Sequence, residues 1–135
     1  MNTLCAVSAL IEVGAGLAPL FLPSAAAVLL LGAPLEAPAA LTVARIGGAG
    51  LLTLGVACWL ASNDADSLAA RGLVTAMVIY NLGAVVILGA AGLRSQSVGI
   101  ILWPAVAVHA VMTGWCIASL LSGAGKGDRG QIAVS

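Results

Sequence analysis

The sequence predicts an all-α integral membrane protein: a bundle of four transmembrane helices with a short interfacial or re-entrant segment between the first and the second. Three observations predict it. Of the 135 residues, 61% are hydrophobic and only 7% are charged, against about 25% charged in ordinary soluble domains. So little charge cannot clothe a core in a water-facing surface, which leaves lipid as the solvent. In lipid every backbone N–H and C=O must find its partner inside the protein, so only helices or a closed barrel can span. The long apolar stretches do not alternate in polarity as the roughly ten-residue strands of a barrel do, which selects helices.

The first helix is expected over about 4–22, from Leu4 to Leu22, and ends before Pro23-Ser24. No Lys or Arg precedes Arg45, and the segment runs into Pro19 and Pro23 without a small-residue cleavage site, so it reads as a retained helix rather than a signal peptide. Ser24 to Gly32 is apolar but too short to span. A helix lying in the interface, capped by Ser24, or a re-entrant turn suits it. The second helix is expected over about 39–61 and the third over about 68–93. The polar run Ser62-Asn63-Asp64-Ala65-Asp66-Ser67 lies between them, with Asp66 or Ser67 as the cap. The fourth is expected over about 98–121, after the turn Arg94-Ser95-Gln96-Ser97. Each helix is long enough to cross a ~30 Å hydrocarbon core at about 1.5 Å per residue. Residues 122–135, with Lys126, Asp128 and Arg129 among glycines, read as a flexible polar tail.

Four crossings put both termini on one side, with Arg71, Lys126 and Arg129. Arg94 falls on the other, which favours cytoplasmic termini. Trp59 and Trp115 then lie toward the cytoplasmic interface and Trp103 toward the opposite one, as anchoring aromatics do. The formal net charge is zero, which argues against nucleic acid as a partner. Ala40, Ala44 and Gly48, with Gly47, Gly50 and Gly55 nearby, form a small-residue face on the second helix, and Gly14 and Gly16 one on the first. Such faces allow close helix packing within one bundle or between copies. Weak similarities between the first and third helices, and between Cys58-Trp59 and Trp115-Cys116, suggest two parallel helical hairpins.

The informative residues are the polar ones at depth. The first helix carries Glu12, the second Arg45, the third Tyr80 and Asn81, and the fourth His109. A charge at the bilayer centre costs at least about 2.5 kcal/mol, so such groups usually face the bundle interior and pair. Counting along each helix puts Glu12, Asn81 and His109 in one layer, with Arg45 reaching it from above or snorkelling away. Glu12–Arg45 is the expected ion pair. The layer has three readings: a polar network that holds the helices in register, a pocket for a small molecule or headgroup, or a proton relay through Glu12 and His109.

Catalytic and cofactor signatures are weak. No nucleophile elbow, zinc-protease helix or phosphate loop is present, and no catalytic residue is assigned. A single histidine cannot supply bis-histidine haem ligation without a second copy. Cys5, Cys58 and Cys116 sit on different helices without C-x-x-C spacing and read as packing residues, so no metal site is assigned. No cofactor is identified. Trp103-Pro104 either loosens the first turns of the fourth helix or starts it.

Ala44-Arg45-Ile46-Gly47-Gly48 with Leu54-Gly55, Tyr80-Asn81, and Trp103-Pro104 with His109 together resemble the loosely defined DoxX-like group of small four-helix bacterial membrane proteins. The resemblance spans Leu4 to Leu121. It implies a four-helix fold in the bacterial inner membrane and carries no activity with it. The leading functional expectation is a membrane-embedded binding or transport module for a small amphipathic molecule, such as a quinone, lipid or hydrophobic metabolite. Tyr80, Asn81 and His109 would supply hydrogen bonds, and Glu12–Arg45 would fix the pocket. The alternative is a structural or accessory subunit of a homo-oligomer or larger membrane complex, in which the polar layer serves assembly. An intramembrane enzyme is a more distant reading.

Overall fold

The structure, a computed structural model, describes the backbone of residues 1–131 and the side chains of residues 1–122. Five helices follow one another: α1 (Asn2–Phe21), α2 (Pro23–Leu31), α3 (Pro38–Ser62), α4 (Leu68–Arg94) and α5 (Leu102–Gln131). Four of them, counting Leu102–Ser122 of α5, are long and apolar enough to cross a membrane, the mark of a multi-pass membrane protein. Of the expected tail over 122–135, the backbone is traced as helix to Gln131, the side chains after Ser122 are outside the described residues, and so are residues 132–135 altogether.

The caps show why the elements end where they do. α2 starts with Pro23 in its first turn, where a missing N–H costs nothing. Ser24 therefore does not cap α2. Its hydroxyl donates instead to the Leu35 carbonyl at 3.2 Å, pinning the loop that leads into α3. α2 closes on Gly32, whose φ of 82° belongs to the left-handed region that glycine reaches without strain. At the start of α4 the choice between Asp66 and Ser67 falls to Ser67, whose hydroxyl accepts from the Ala70 N–H at 3.1 Å.

α5 begins at Leu102 rather than near Val98. Residues before it form an apolar loop laid against α2, with the Ile101 N–H donating to the Leu29 carbonyl at 3.1 Å. A Cβ on Gly99 would collide with the Leu29 carbonyl, so glycine is what lets the loop lie that close. Pro104 is consequently the third residue of α5, where no helical hydrogen bond is lost. It starts the helix and does not kink it at depth.

The helices associate as two pairs, α1 with α3 and α4 with α5, and the pairs meet along a less extensive seam. α1 and α3 run antiparallel at backbone contact. A Cβ on Gly16 would stand 2.7 Å from the Gly48 carbonyl oxygen, and one on Gly48 would stand 2.6 Å from the Gly16 carbonyl oxygen. Gly55 meets Val13 and the Ala9 carbonyl further along. The small-residue face of the sequence is thus split: Gly16, Gly48 and Gly55 bring two backbones together, whereas Gly14, Gly47 and Gly50 open outward with nothing near them. Trp59, Trp103 and Trp115 are all partly exposed on the outer surface of the bundle.

On the side of the chain's N-terminus, all four long helices contribute to one buried cluster: Leu4, Cys5 and Ala9 from α1, Cys58 from α3, Val74 and Met77 from α4, and Met112 and Cys116 from α5. The adjacent glycines Gly47 and Gly48, one facing outward and one at the contact, give a clean test of the helix contact. Gly48→Ala is expected to destabilise the protein by ~1–3 kcal/mol through overpacking, while Gly47→Ala, on the same helix, should leave thermal unfolding in detergent unchanged or slightly raised. Equal effects at the two positions would rule out a backbone contact between α1 and α3.

Candidate functional site: a polar seam between the helix pairs

The expected polar residues do not all meet. Glu12 and Asn81 are 1% exposed, and Tyr80 and His109 are half-buried. These four lie where the α1–α3 pair faces the α4–α5 pair. Arg45 is exposed. The contacts of Gly16 with Gly48 and of Val13 with Gly55 set the register of α1 against α3. That register puts Glu12 level with about residues 52–56, so Arg45 lies roughly seven to eleven residues, or ~10–16 Å, further toward the α2 side. Among the described residues no ion pair joins Glu12 to Arg45, and Oε2 of Glu12 has no hydrogen-bond partner. The expected pair fails because depth was right only to within two to three turns. A long guanidinium stem can then carry its charge outward instead of paying for burial.

The α4–α5 half of the site is well ordered chemically. Asn81 Nδ2 donates to the Met77 carbonyl one turn back at 2.8 Å. A backbone carbonyl can only accept, so this bond fixes which end of the amide is which. Asn81 Oδ1 then faces His109 Nδ1 at 2.7 Å. An amide oxygen also only accepts, so His109 Nδ1 must be the protonated nitrogen, and in the neutral ring Nε2 keeps a free lone pair. Thr113 donates its hydroxyl to the His109 carbonyl at 2.8 Å. The Tyr80 ring meets the His109 ring edge to face, with centroids 5.6 Å apart and planes at 83°, a favoured aromatic geometry.

The α1 half is incomplete. Tyr80 lies near the Glu12 carboxyl across the seam, and Oε2 of that carboxyl is buried without a hydrogen-bond partner. Cys58 of α3 is the other titratable neighbour of Glu12. Ser8, one turn from Glu12 on the same face of α1, is 2% exposed and joins the seam. Its i, i+4 spacing from Glu12 is the signal that marks it in the sequence. The three thiols are free and buried. Among the described residues no group of three or more His, Cys, Asp or Glu side chains is placed to hold a metal ion.

Two grooves mark the surface. One, of about 190 Å³, follows the outer side of the α1–α3 contact between Leu10, Val13, Gly55 and Trp59. The other, of about 370 Å³, lies between α3 and α4 near Asp64 and Ser67. Neither is lined by the four seam residues.

With this geometry in hand, comparison of the chain with protein-family models, curated proteins and solved structures finds no match.

Two measurements check the site. A double-mutant cycle on Glu12→Gln and Arg45→Gln should show no coupling beyond ~0.5 kcal/mol, whereas Asn81→Ala and His109→Ala should couple by roughly 0.6 kcal/mol or more. Nitrogen-15 NMR of the histidine ring at high pH should find the proton on Nδ1. A proton on Nε2 instead would break the Asn81–His109 assignment.

Proposed function

We propose that the protein is a membrane-embedded binding module for a small amphipathic molecule whose polar head gives a hydrogen bond to Glu12. One observation carries this reading: a carboxyl group 1% exposed, the one charged side chain buried among the described residues, with one oxygen left unpartnered. Leaving a buried polar group unmade costs ~1–3 kcal/mol, more for a charged one. A bundle built only for cohesion is better served by an apolar side chain there, since polar residues at depth are costly and usually functional. The position of Glu12 on the seam between two helix pairs also supports the reading, because the less extensive contact is where a bundle can part to admit a molecule.

Hydrogen-bond accounting narrows the ligand. Nε2 of neutral His109 and Oε2 of Glu12 are acceptors; the side-chain donors nearby are the hydroxyls of Tyr80 and Ser8 and the weak Cys58 thiol, and none of them meets Oε2. The site is short of donors. An oxidised quinone offers only acceptors and fits poorly; a quinol, an alcohol or an amine headgroup fits better. The topology we infer has both termini in the cytoplasm of a bacterial inner membrane, as the distribution of Arg71, Lys126 and Arg129 against Arg94 favours.

A second reading has its own support. Gly47 and Gly50 of α3 and Gly14 of α1 face open space, a surface on which a transmembrane helix of another subunit can seat closely. An accessory role in a larger complex would use it.

Native mass spectrometry in mild detergent separates the two. The binding reading expects a stoichiometric small molecule, released by organic extraction and lost in Glu12→Gln. Ligand-free protein co-purifying with a partner subunit, and unaffected by Glu12→Gln, would replace it with the accessory role.

A further inference from the structure

We propose that the headgroup completing Glu12 is cationic: a protonated amine on a small apolar body. This rests on the binding reading above and adds the charge of the ligand to it.

The surroundings of Glu12 contain no positive charge. Tyr80 faces it from α4 and Cys58 from α3. His109 on α5 spends its Nδ1 proton on Asn81. Arg45 is exposed and roughly two to three turns away along α3. In a low-dielectric interior, a carboxyl group so placed is neutralised in one of two ways, by a proton of its own or by a positive charge brought to it. A proton satisfies the charge but leaves the hydrogen-bond count short, since an acid O–H at Oε2 finds no acceptor there. An ammonium head satisfies both: its charge balances the carboxylate, and its N–H groups fill the donor deficit.

Inorganic cations suit the site less well. Hard ions such as Ca²⁺ take about six to eight oxygen ligands, and Glu12 with Tyr80 offers two carboxylate oxygens and one hydroxyl. Asn81 Oδ1 is already used by His109. An ammonium needs only a few acceptors.

The remainder of the ligand meets apolar surroundings. Toward the N-terminal side the core beneath Glu12 is rich in sulfur, with Cys5, Cys58, Cys116, Met77 and Met112 in one cluster. Methionine is the side chain best able to refill irregular gaps, which suits a seam that must close around an alkyl or aromatic group and repack when it leaves.

The test uses the full chain in nanodiscs of zwitterionic lipid with three probes of equal length: octylamine, octanol and octanoate. Octylamine is expected to raise the thermal midpoint at concentrations at least tenfold below those at which octanol does, and Glu12→Gln should abolish that difference. Octanoate should give no shift that depends on Glu12. Because Glu12→Gln alters the seam, infrared spectroscopy on the unsubstituted protein gives a second readout: octylamine should leave Glu12 as carboxylate, and octanol should not. Octanol matching octylamine, both dependent on Glu12, would overturn the cationic headgroup while leaving the donor-binding reading intact. If no probe gives a Glu12-dependent shift, both fall.

Discussion

Lipid supplies no hydrogen bonds, so each polar atom inside this bundle must be answered by another part of the protein. That requirement organises the seam. Asn81 answers His109, and Met77 answers Asn81, so the α4–α5 pair is closed upon itself. Tyr80 lies near Glu12 of α1. The chain of answers stops at Oε2 of Glu12. The fold around that oxygen is otherwise economical: glycines where backbones touch, apolar side chains where lipid begins.

The two halves of the bundle are held by different physics. α1 and α3 approach through Gly16, Gly48 and Gly55, so their contact is shallow, close and rigid, with few side chains to rearrange. α4 and α5 are joined by side-chain hydrogen bonding and ring packing. α2 and the loop before α5 clasp the far side, through Gly32, Gly99 and the Ile101–Leu29 bond. On the near side the seam is filled by long or soft side chains, sulfur-bearing ones above all. The two helix pairs are thus joined by a clasp at one end and a sulfur-rich core at the other.

Much of the fold was legible in composition, because a chain with so few charges has little alternative to spanning helices. Helix starts were legible where a breaker or cap stood, as at Pro23 and Ser67. The start of α5 was not. Val98, Gly99, Ile100 and Ile101 are as apolar as any helix, and only their docking against α2 makes them a loop. At the site, counting residues put Glu12, Asn81 and His109 at one depth, with Arg45 reaching it from above; Tyr80 came with them only as the sequence neighbour of Asn81. Counting gives depth but not the direction of a side chain, so attraction of opposite charges suggested Arg45 as the partner of Glu12, where reach and snorkelling decided otherwise. The sulfur core escaped notice for a related reason. Each Cys or Met is an ordinary packing residue on its own helix, and only the relative rotation of the helices gathers them.

The direct test of this arrangement is a set of carbon–nitrogen distances around Glu12 and His109, measured by solid-state NMR on labelled protein in lipid bilayers. A contact between the His109 ring and the Asn81 side chain, proximity of the Glu12 carboxyl to the Tyr80 ring, and no contact between that carboxyl and the Arg45 guanidinium are the expected results. A Glu12–Arg45 contact at ion-pair distance would contradict it, since the carboxyl would then be fully answered from within and no place would be left for a ligand.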